Sequence, residues 1–347
     1  MAIYRHQIGT VIIHYLTMGA PAINYGIHSL KKHKTDLFLK DVLSGLKDIP
    51  KHLSSKYFYD AKGDKIFQEI MNCPEYYPTR CELEIFSGKT ADLGQAIIAD
   101  GDAFDLIELG AGDATKSSYL LKYLLEQKAD FTYLPIDISE NVISYLGTTL
   151  PVTLPGLKIN GLNGEYFDML KQAATLSNRR KVVMFLGSNI GNMPANEALE
   201  FCKALRNHLS EGDMMLMGFD LKKNPKTVLA AYNDEEGITK RFNLNLLERI
   251  NRELSADFHL SKFDHYATYD PETGACRSYL ISLEDQEVTI NHKEHIRFQK
   301  DEYIYMEISQ KFTVLQTEQI AENAGFKAVN CFFDSKKWFL DAIWVAE

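Results

Sequence analysis

In the stretch "DLIELGAGDATKSSYLL" (residues 105–121), an apolar run ends in an acid, a Gly-Ala-Gly turn follows, and apolar residues then recur at helical spacing. A strand, a glycine turn and a helix in this order present backbone N–H groups at the carboxyl end of a strand. Gly110 and Gly112 lack a Cβ, so a ligand can approach that backbone closely. The alternation continues downstream. Residues 104–109 read as a first strand, 115–126 as a helix, and 132–139, "TYLPIDIS", as a second strand carrying Asp137. Residues 181–192, "KVVMFLGSNIGN", read as a strand running into a glycine-punctuated loop, 195–209 as a helix and 212–220 as another strand. Strands that alternate with helices describe a parallel sheet covered on both faces, a doubly wound α/β core.

The end of the chain refines that core. Residues 317–326 read as a helix, and strands 327–334 and 338–346 are joined by Ser335-Lys336-Lys337, which predicts a terminal hairpin and an antiparallel edge on an otherwise parallel sheet. Class I methyltransferases end this way, and nicotinamide-binding Rossmann domains have no need of such a hairpin. Residues 221–316 are far too many for an ordinary crossover and predict an inserted domain over the carboxyl ends of the strands. The expected division is a non-core extension (1–30), a substrate-binding domain (31–80 and 222–311), and a cofactor-binding domain (81–221 and 312–347).

Composition narrows the partners. With 347 residues, 45% hydrophobic and 24% charged, the chain can bury one large core or two ordinary ones. A net charge of -9 and the absence of basic blocks argue against a nucleic-acid partner. Five cysteines without a CxxC pair or a histidine at zinc-ligand spacing predict no disulfide framework and no metal, and fit a reducing cytoplasm. Residues 8–22 faintly resemble a secretory leader, but His14 and Thr17 interrupt the apolar run, so no membrane span is expected. They read as an extension, with Met18 as an alternative start. No heptad repeat marks an oligomer, and a monomer is expected.

The ligand of the glycine turn follows from what the motif lacks. "GAGDAT" has no third glycine for a dinucleotide fingerprint, and Lys116 is too close to the glycines for a P-loop. Glu108 before the turn and Asp137 at the end of the second strand suit ribose hydroxyls and a charged amino-acid end without phosphate. S-adenosylmethionine has that composition.

Six further segments carry a more specific likeness: "YFYDAKGDKIFQEIMNCPEYYPTRCE" (57–82), "PIDIS", "FLGSNIGN" (185–192), "AAYND" (230–234), "FNLNLL" (242–247) and "MEISQKF" (306–312). Together with "ELGAGDATK" they occur in the order seen in the histidine-specific methyltransferases of ergothioneine biosynthesis, which trimethylate the α-amine of L-histidine to hercynine. The chain resembles that family from about residue 37 to its end. The resemblance implies S-adenosylmethionine as cofactor, with Tyr59 and the loop of Glu108, Gly110, Ala111, Gly112 and Lys116 around its methionine part and Asp137 on its ribose. It further implies that Tyr76, Gly187, Asn192 and Tyr232 surround the amino-acid end of the substrate, with Tyr76 and Asn192 nearest the chemistry, and that Glu307 and Ser309 read the imidazole.

Strand alternation predicts that Tyr303, Tyr305, Glu307 and Ser309 share one face, and a carboxylate beside a hydroxyl can serve both ring nitrogens. Two positions depart from the family pattern. Gly161-Leu162-Asn163 stands where relatives carry a Gly-Asp pair near adenine, so Asn163 is the expected substitute. Ser278 stands where some relatives put a methionine beside the substrate. A fungal branch of the family methylates a prenylated tryptophan, so another aromatic or basic amino acid is the alternative acceptor. A nicotinamide oxidoreductase and a catalytically silent binding protein are the rivals from other classes. Without the likeness, the bland readings are a solvated strand face for Glu307 and Ser309 and a packed corner for Tyr76-Tyr77, with Pro78 ending a helix.

Overall fold

The computed structural model describes residues 35–99 and 101–347, so the expected extension, its leader-like stretch and Met18 lie outside the described residues. In chain order the elements are α1 (residues 35–47), α2 (Ala61–Asn72), α3 (Pro78–Gly88), α4 (Thr90–Ile98), β1 (Phe104–Leu109), α5 (Ser117–Glu126), β2 (Phe131–Asp137), α6 (Glu140–Thr153), β3 (Leu162–Asn163), α7 (Tyr166–Leu176), β4 (Arg180–Phe185) and α8 (Ala195–Arg206). There follow β5 (Met214–Asp220), α9 (Pro225–Ala231), α10 (Ile238–Leu254), β6 (Phe263–Tyr269), β7 (Ala275–Ser282), β8 (Gln286–Ile290), β9 (Glu294–Phe298), β10 (Tyr303–Gln310), α11 (Val314–Asn323), β11 (Phe326–Phe333) and β12 (Phe339–Ala346).

Seven strands form one sheet in the order β11-β12-β5-β4-β1-β2-β3. Every residue of β1 and of β5 is buried, as strands covered by helices on both faces must be. Apolar side chains divide accordingly. Leu106 and Leu121 belong to the cluster on one face, and Ile107, Cys202 and Leu205 to that on the other. This is the doubly wound α/β core read from the sequence, with one refinement at its end. The terminal hairpin forms, but its antiparallel member is not the edge. β12 runs against both β5 and β11 and lies between them, so β11 becomes the outer strand and points the same way as the parallel set. The burial of β12, with Trp344 fully enclosed, reflects that inner position.

The segment between β5 and α11 builds a second, antiparallel sheet, β10-β7-β6, and a separate β8-β9 ribbon. A third apolar cluster joins it to the chain's beginning: Phe38, Phe58, Ile66 and Ile70 pack with Phe242, Leu246, Leu280, Ile304 and Met306. Strand β10 carries a bulge that the sequence conceals. Tyr305 lies opposite Tyr279 and Glu307 opposite Ser278, so Met306 has no partner of its own. The alternation therefore resets. Tyr303 and Tyr305 form an aromatic group with Tyr279, at ring distances of 5.2 and 5.8 Å. Glu307 and Ser309 face the other way, opposite Ser278 and Cys276. The expectation that all four side chains share a face holds only for the second pair.

Two helix boundaries differ from the sequence reading for local reasons. Pro78 opens α3 instead of ending α2, consistent with its missing N–H at a first-turn position. Helix α11 begins at Val314, three residues earlier than expected, because Thr313 and Gln316 form a reciprocal capping box. Thr313 Oγ1 accepts from the Gln316 N–H at 3.2 Å, and Gln316 Oε1 accepts from the Thr313 N–H at 2.8 Å. Thr313→Ala is expected to lower the unfolding free energy by about 1 kcal/mol. A denaturation midpoint that falls at unchanged slope would bear this out, and an unmoved midpoint would refute it.

Candidate active site

Residues from five parts of the chain meet in one cleft at the carboxyl end of the large sheet. Tyr59, Tyr76, Gly187, Asn192, Tyr232, Glu307 and Ser309 all line it, with Asp220 at its floor and Phe67, Ile70 and Phe242 on an apolar side. Tyr59 stands at the rim, 45% exposed, edge-on to Phe67 at 5.5 Å and to Phe242 at 5.8 Å. Tyr76 meets Tyr232 edge-on at 6.0 Å. Tyr232 follows the last residue of α9, and two residues later Asp234 fixes the start of α10 by accepting from the Ile238 and Thr239 N–H groups at 2.6 and 2.8 Å. That cap accounts for the acid in the "AAYND" motif.

The "GSNIGN" segment is a tight turn. Gly187 and Ser188 both adopt the left-handed conformation, with φ of 75° and 56°, and a 3-10 turn, Asn189–Asn192, ends at the cleft residue. The left-handed residue that carries a side chain is thus Ser188. Ser188 is held there because its hydroxyl accepts from the Asp220 N–H at 3.0 Å. Gly191 permits the turn to sit directly on β10. A Cβ at that position would come within 2.8 Å of the Gln310 carbonyl oxygen, so only glycine lets Asn192 and the inner face of β10 line one cleft.

The glycine turn after β1 adjoins this cleft. Gly110 and Gly112 have φ of 72° and 55°, and the Gly110 and Ala111 N–H groups donate to the Ile136 carbonyl at 2.8 and 3.3 Å, drawing the turn against the end of β2. Asp137 sits there. Its carboxylate accepts from the Gly112 N–H at 3.3 Å and the Ser139 N–H at 2.8 Å. Nothing lies within 4 Å of where a Gly112 Cβ would stand, whereas a Cβ on Gly110 would meet the Tyr166 hydroxyl at 2.8 Å and Asn189 Nδ2 at 3.6 Å. An open glycine backbone beside a carboxylate and a tyrosine fits an adenosine ligand without phosphate. It adjoins the substrate cleft through Asn189, which also lines that cleft.

Other expected positions have different surroundings. The Glu108 carboxyl points into the core, where it accepts from the Tyr133 hydroxyl at 2.5 Å, and burial pushes it up to about 7. Lys116 donates to Glu82, whose other oxygen accepts from the Gly187 N–H at 2.6 Å. Burial works against that ammonium, but Glu82 outweighs it and Lys116 stays above its ordinary range. Asn163 donates to the Asp137 carbonyl at 2.9 Å and so braces the acid. Ser278 is buried opposite Glu307 and is not among the cleft-lining residues. Among the described residues no cluster of His, Cys, Asp or Glu could hold a metal ion, and all five cysteines are free thiols.

A buried polar network below the cleft escaped the sequence reading. Asp220, fully enclosed at the end of β5, accepts from the Tyr77 hydroxyl at 2.9 Å, from Lys223, and from Lys311 at 2.6 Å. Lys311 in turn donates to Tyr232 Oη at 2.7 Å and to Ser309 Oγ at 2.8 Å, and those two hydroxyls lie 2.7 Å apart. The signal was present in "EISQK", since residues 307, 309 and 311 recur at strand spacing. Burial pushes the Glu307 carboxyl up to about 7, and the Lys311 ammonium pulls the other way.

A family model described as histidine-specific, SAM-dependent methyltransferase matches residues 38–346. A histidine N-alpha-methyltransferase of Mycolicibacterium smegmatis is 33% identical over 85% of this chain and 90% of its own length. One from Mycobacterium tuberculosis is 35% identical over 79% and 84%. An L-tryptophan methyltransferase of Psilocybe serbica is 27% identical over 85% and 89%.

The raised carboxyl has a thermodynamic signature. Glu307 ionises near 4.5 when unfolded but near 7 when folded, so its contribution is fully present below 4.5 and is lost as pH rises through 7. Glu307→Gln should therefore become progressively more stable relative to the native protein between pH 4.5 and 7, with a constant difference above. A difference in unfolding free energy that does not change with pH would contradict the assignment.

Proposed function

The chain belongs to the histidine-specific, S-adenosylmethionine-dependent methyltransferases, and on that premise we propose that it methylates the α-amine of L-histidine, up to the trimethylated product hercynine. The observation that carries this reading is the cleft position of Glu307 and Ser309, which share it with Asn192, Tyr76 and Tyr232 beside the glycine turn. A carboxylate and a hydroxyl two residues apart on one strand face match the two nitrogens of an imidazole.

S-adenosylmethionine, when bound, supplies a methyl group on a positively charged sulfur. The residues suited to hold it are Asp137 at the ribose, Gly110, Ala111 and Gly112 as an open backbone, Tyr59 at the rim, and Asn163 bracing Asp137. Glu108 and Lys116 act from beneath, through Tyr133 and Glu82. Attack by the amine requires an unprotonated lone pair about 3–3.5 Å from the methyl carbon, so the protein's task is orientation and exclusion of water. Asn192 and Tyr76 orient the amino-acid end, while Glu307 and Ser309 anchor the ring. A quaternary product needs walls that tolerate a fixed cation, and the Tyr76 and Tyr232 rings meet that need through cation-π attraction.

In the same reading, the described part of the expected substrate-binding domain (31–80 with 222–311), namely residues 35–80 with 222–311, binds the substrate and the large sheet the cofactor, supported by the apolar cluster that joins the two substrate segments. The enzyme acts as a cytoplasmic monomer on a small molecule, with no nucleic-acid partner, in keeping with its net charge of -9. Among the described residues no helix is long and apolar enough to cross a membrane.

Purified protein incubated with S-adenosylmethionine and single amino acids should add successive methyl increments to histidine, read by mass spectrometry. Methylation of tryptophan or a basic amino acid in preference to histidine would replace the proposed acceptor. Glu307→Ala should weaken histidine binding by about 10-fold or more at unchanged cofactor affinity. Calorimetry showing equal loss of both would remove Glu307 from its role.

A further inference from the structure

Lys311 is fully buried, and its contacts can be counted. An ammonium has three N–H donors, and these go to Asp220 Oδ2 at 2.6 Å, Tyr232 Oη at 2.7 Å and Ser309 Oγ at 2.8 Å. None remains for a ligand. The Tyr232 and Ser309 oxygens are 2.7 Å apart, so one hydroxyl donates to the other. A phenol is the more acidic donor and, with a lone pair drawn into its ring, the poorer acceptor, so Tyr232 donates to Ser309. Ser309 then receives two protons, from Lys311 and from Tyr232, and both lone pairs of its oxygen are filled. Its own proton has one direction left, into the cleft.

We propose that Lys311, through Asp220 and Tyr232, is a specificity-determining positioning residue that converts Ser309 from an adaptable hydroxyl into an obligate donor. The inference rests on the histidine reading and deepens it. With Glu307 accepting a ring N–H and Ser309 able only to donate, the cleft requires a ring with one N–H and one bare nitrogen, which is neutral imidazole. An imidazolium offers Ser309 a second N–H that it has no lone pair to accept. An indole or a pyrrole offers it a C–H, leaving a buried donor without a partner, which carries a cost of about 1–3 kcal/mol.

The test compares catalytic efficiency on L-histidine with that on a pyrrolylalanine whose ring keeps the N–H but has C–H in place of the bare nitrogen. The native enzyme should prefer histidine by about 10- to 100-fold. In Lys311→Met the ammonium no longer donates to Tyr232 Oη or Ser309 Oγ, so Ser309 can turn its proton onto Tyr232 Oη and the preference should collapse toward unity. Tyr232→Phe keeps the buried lysine and leaves the Ser309 proton no other acceptor, but it vacates one lone pair. There the preference over the pyrrole should persist, while histidine affinity, read by calorimetry, should fall less than in the native protein as the ring protonates. This variant serves if Lys311→Met does not fold, which S-adenosylmethionine binding would reveal. A preference unchanged in folded Lys311→Met, with both substrates losing efficiency in parallel, or a Tyr232→Phe no more tolerant of imidazolium than the native protein, would overturn the proposal. A native enzyme that leaves histidine unmethylated would overturn the functional reading itself, and the proposal with it.

Discussion

Asp220 is the constraint around which the cleft is arranged. A carboxylate at zero exposure is tolerable only when opposite charges and hydrogen bonds replace water, and here two lysines and a phenol do so. Its partners come from three separate places: Tyr77 at the entry to α3, Lys223 just beyond β5, and Lys311 at the end of β10. The network therefore ties the large sheet to the second sheet at one atom group. Removing one partner of such a buried pair leaves an uncompensated charge at a cost of about 3–5 kcal/mol, so the ends of β5 and β10 are bound to a common geometry. Burial lowers the Lys223 ammonium below its ordinary range even beside Asp220, a sign of how little water reaches the group.

The site also keeps an unusual number of carboxyl groups away from solvent. Burial raises Glu108 and Glu307 to about 7 and holds Asp341 well above the usual carboxylate range, the last with Glu82 as an adjoining acid. Glu82 is in a different position, because it receives both the Lys116 ammonium and the Gly187 N–H. The turn that precedes Asn192 and the lysine that follows the glycine loop are thus anchored on the same carboxylate. Cofactor side and substrate side are mechanically one unit at this point, although no side chain seen from the cleft itself reveals it.

What could be read from the sequence was local. The Gly-Ala-Gly turn, the acid at the end of β2, the alternation of strands with helices and the terminal hairpin are short-range patterns, and each produced its element. The position of β12 between β5 and β11 was not legible, because strand order depends on pairing between residues more than a hundred positions apart. Nor was the bulge at Met306, since nothing in "YIYMEISQ" marks which residue will go unpaired. Ser278 lies directly opposite Glu307 on the same face of the sheet, but it is buried and does not itself line the opening. Lys311 was overlooked because a lysine in an apolar setting reads as surface until its three partners are seen. The Thr313-Gln316 capping pair also stands in the sequence, yet the expected helix starts only at residue 317.

The unpaired Met306 carries an implication for how such clefts diversify. Face assignment downstream of it depends on which residue goes unpaired and not only on residue identity. If Met306 were drawn into the ladder opposite Ser278, "EIS" would turn over as a block, hiding the acid and the alcohol and offering Ile308 to the ligand instead. Outright loss of Met306 would leave Glu307 opposite Ser278 and the facing unchanged. A slip of pairing in a single strand is therefore a route to a new acceptor that bypasses the slow exchange of contact residues one by one.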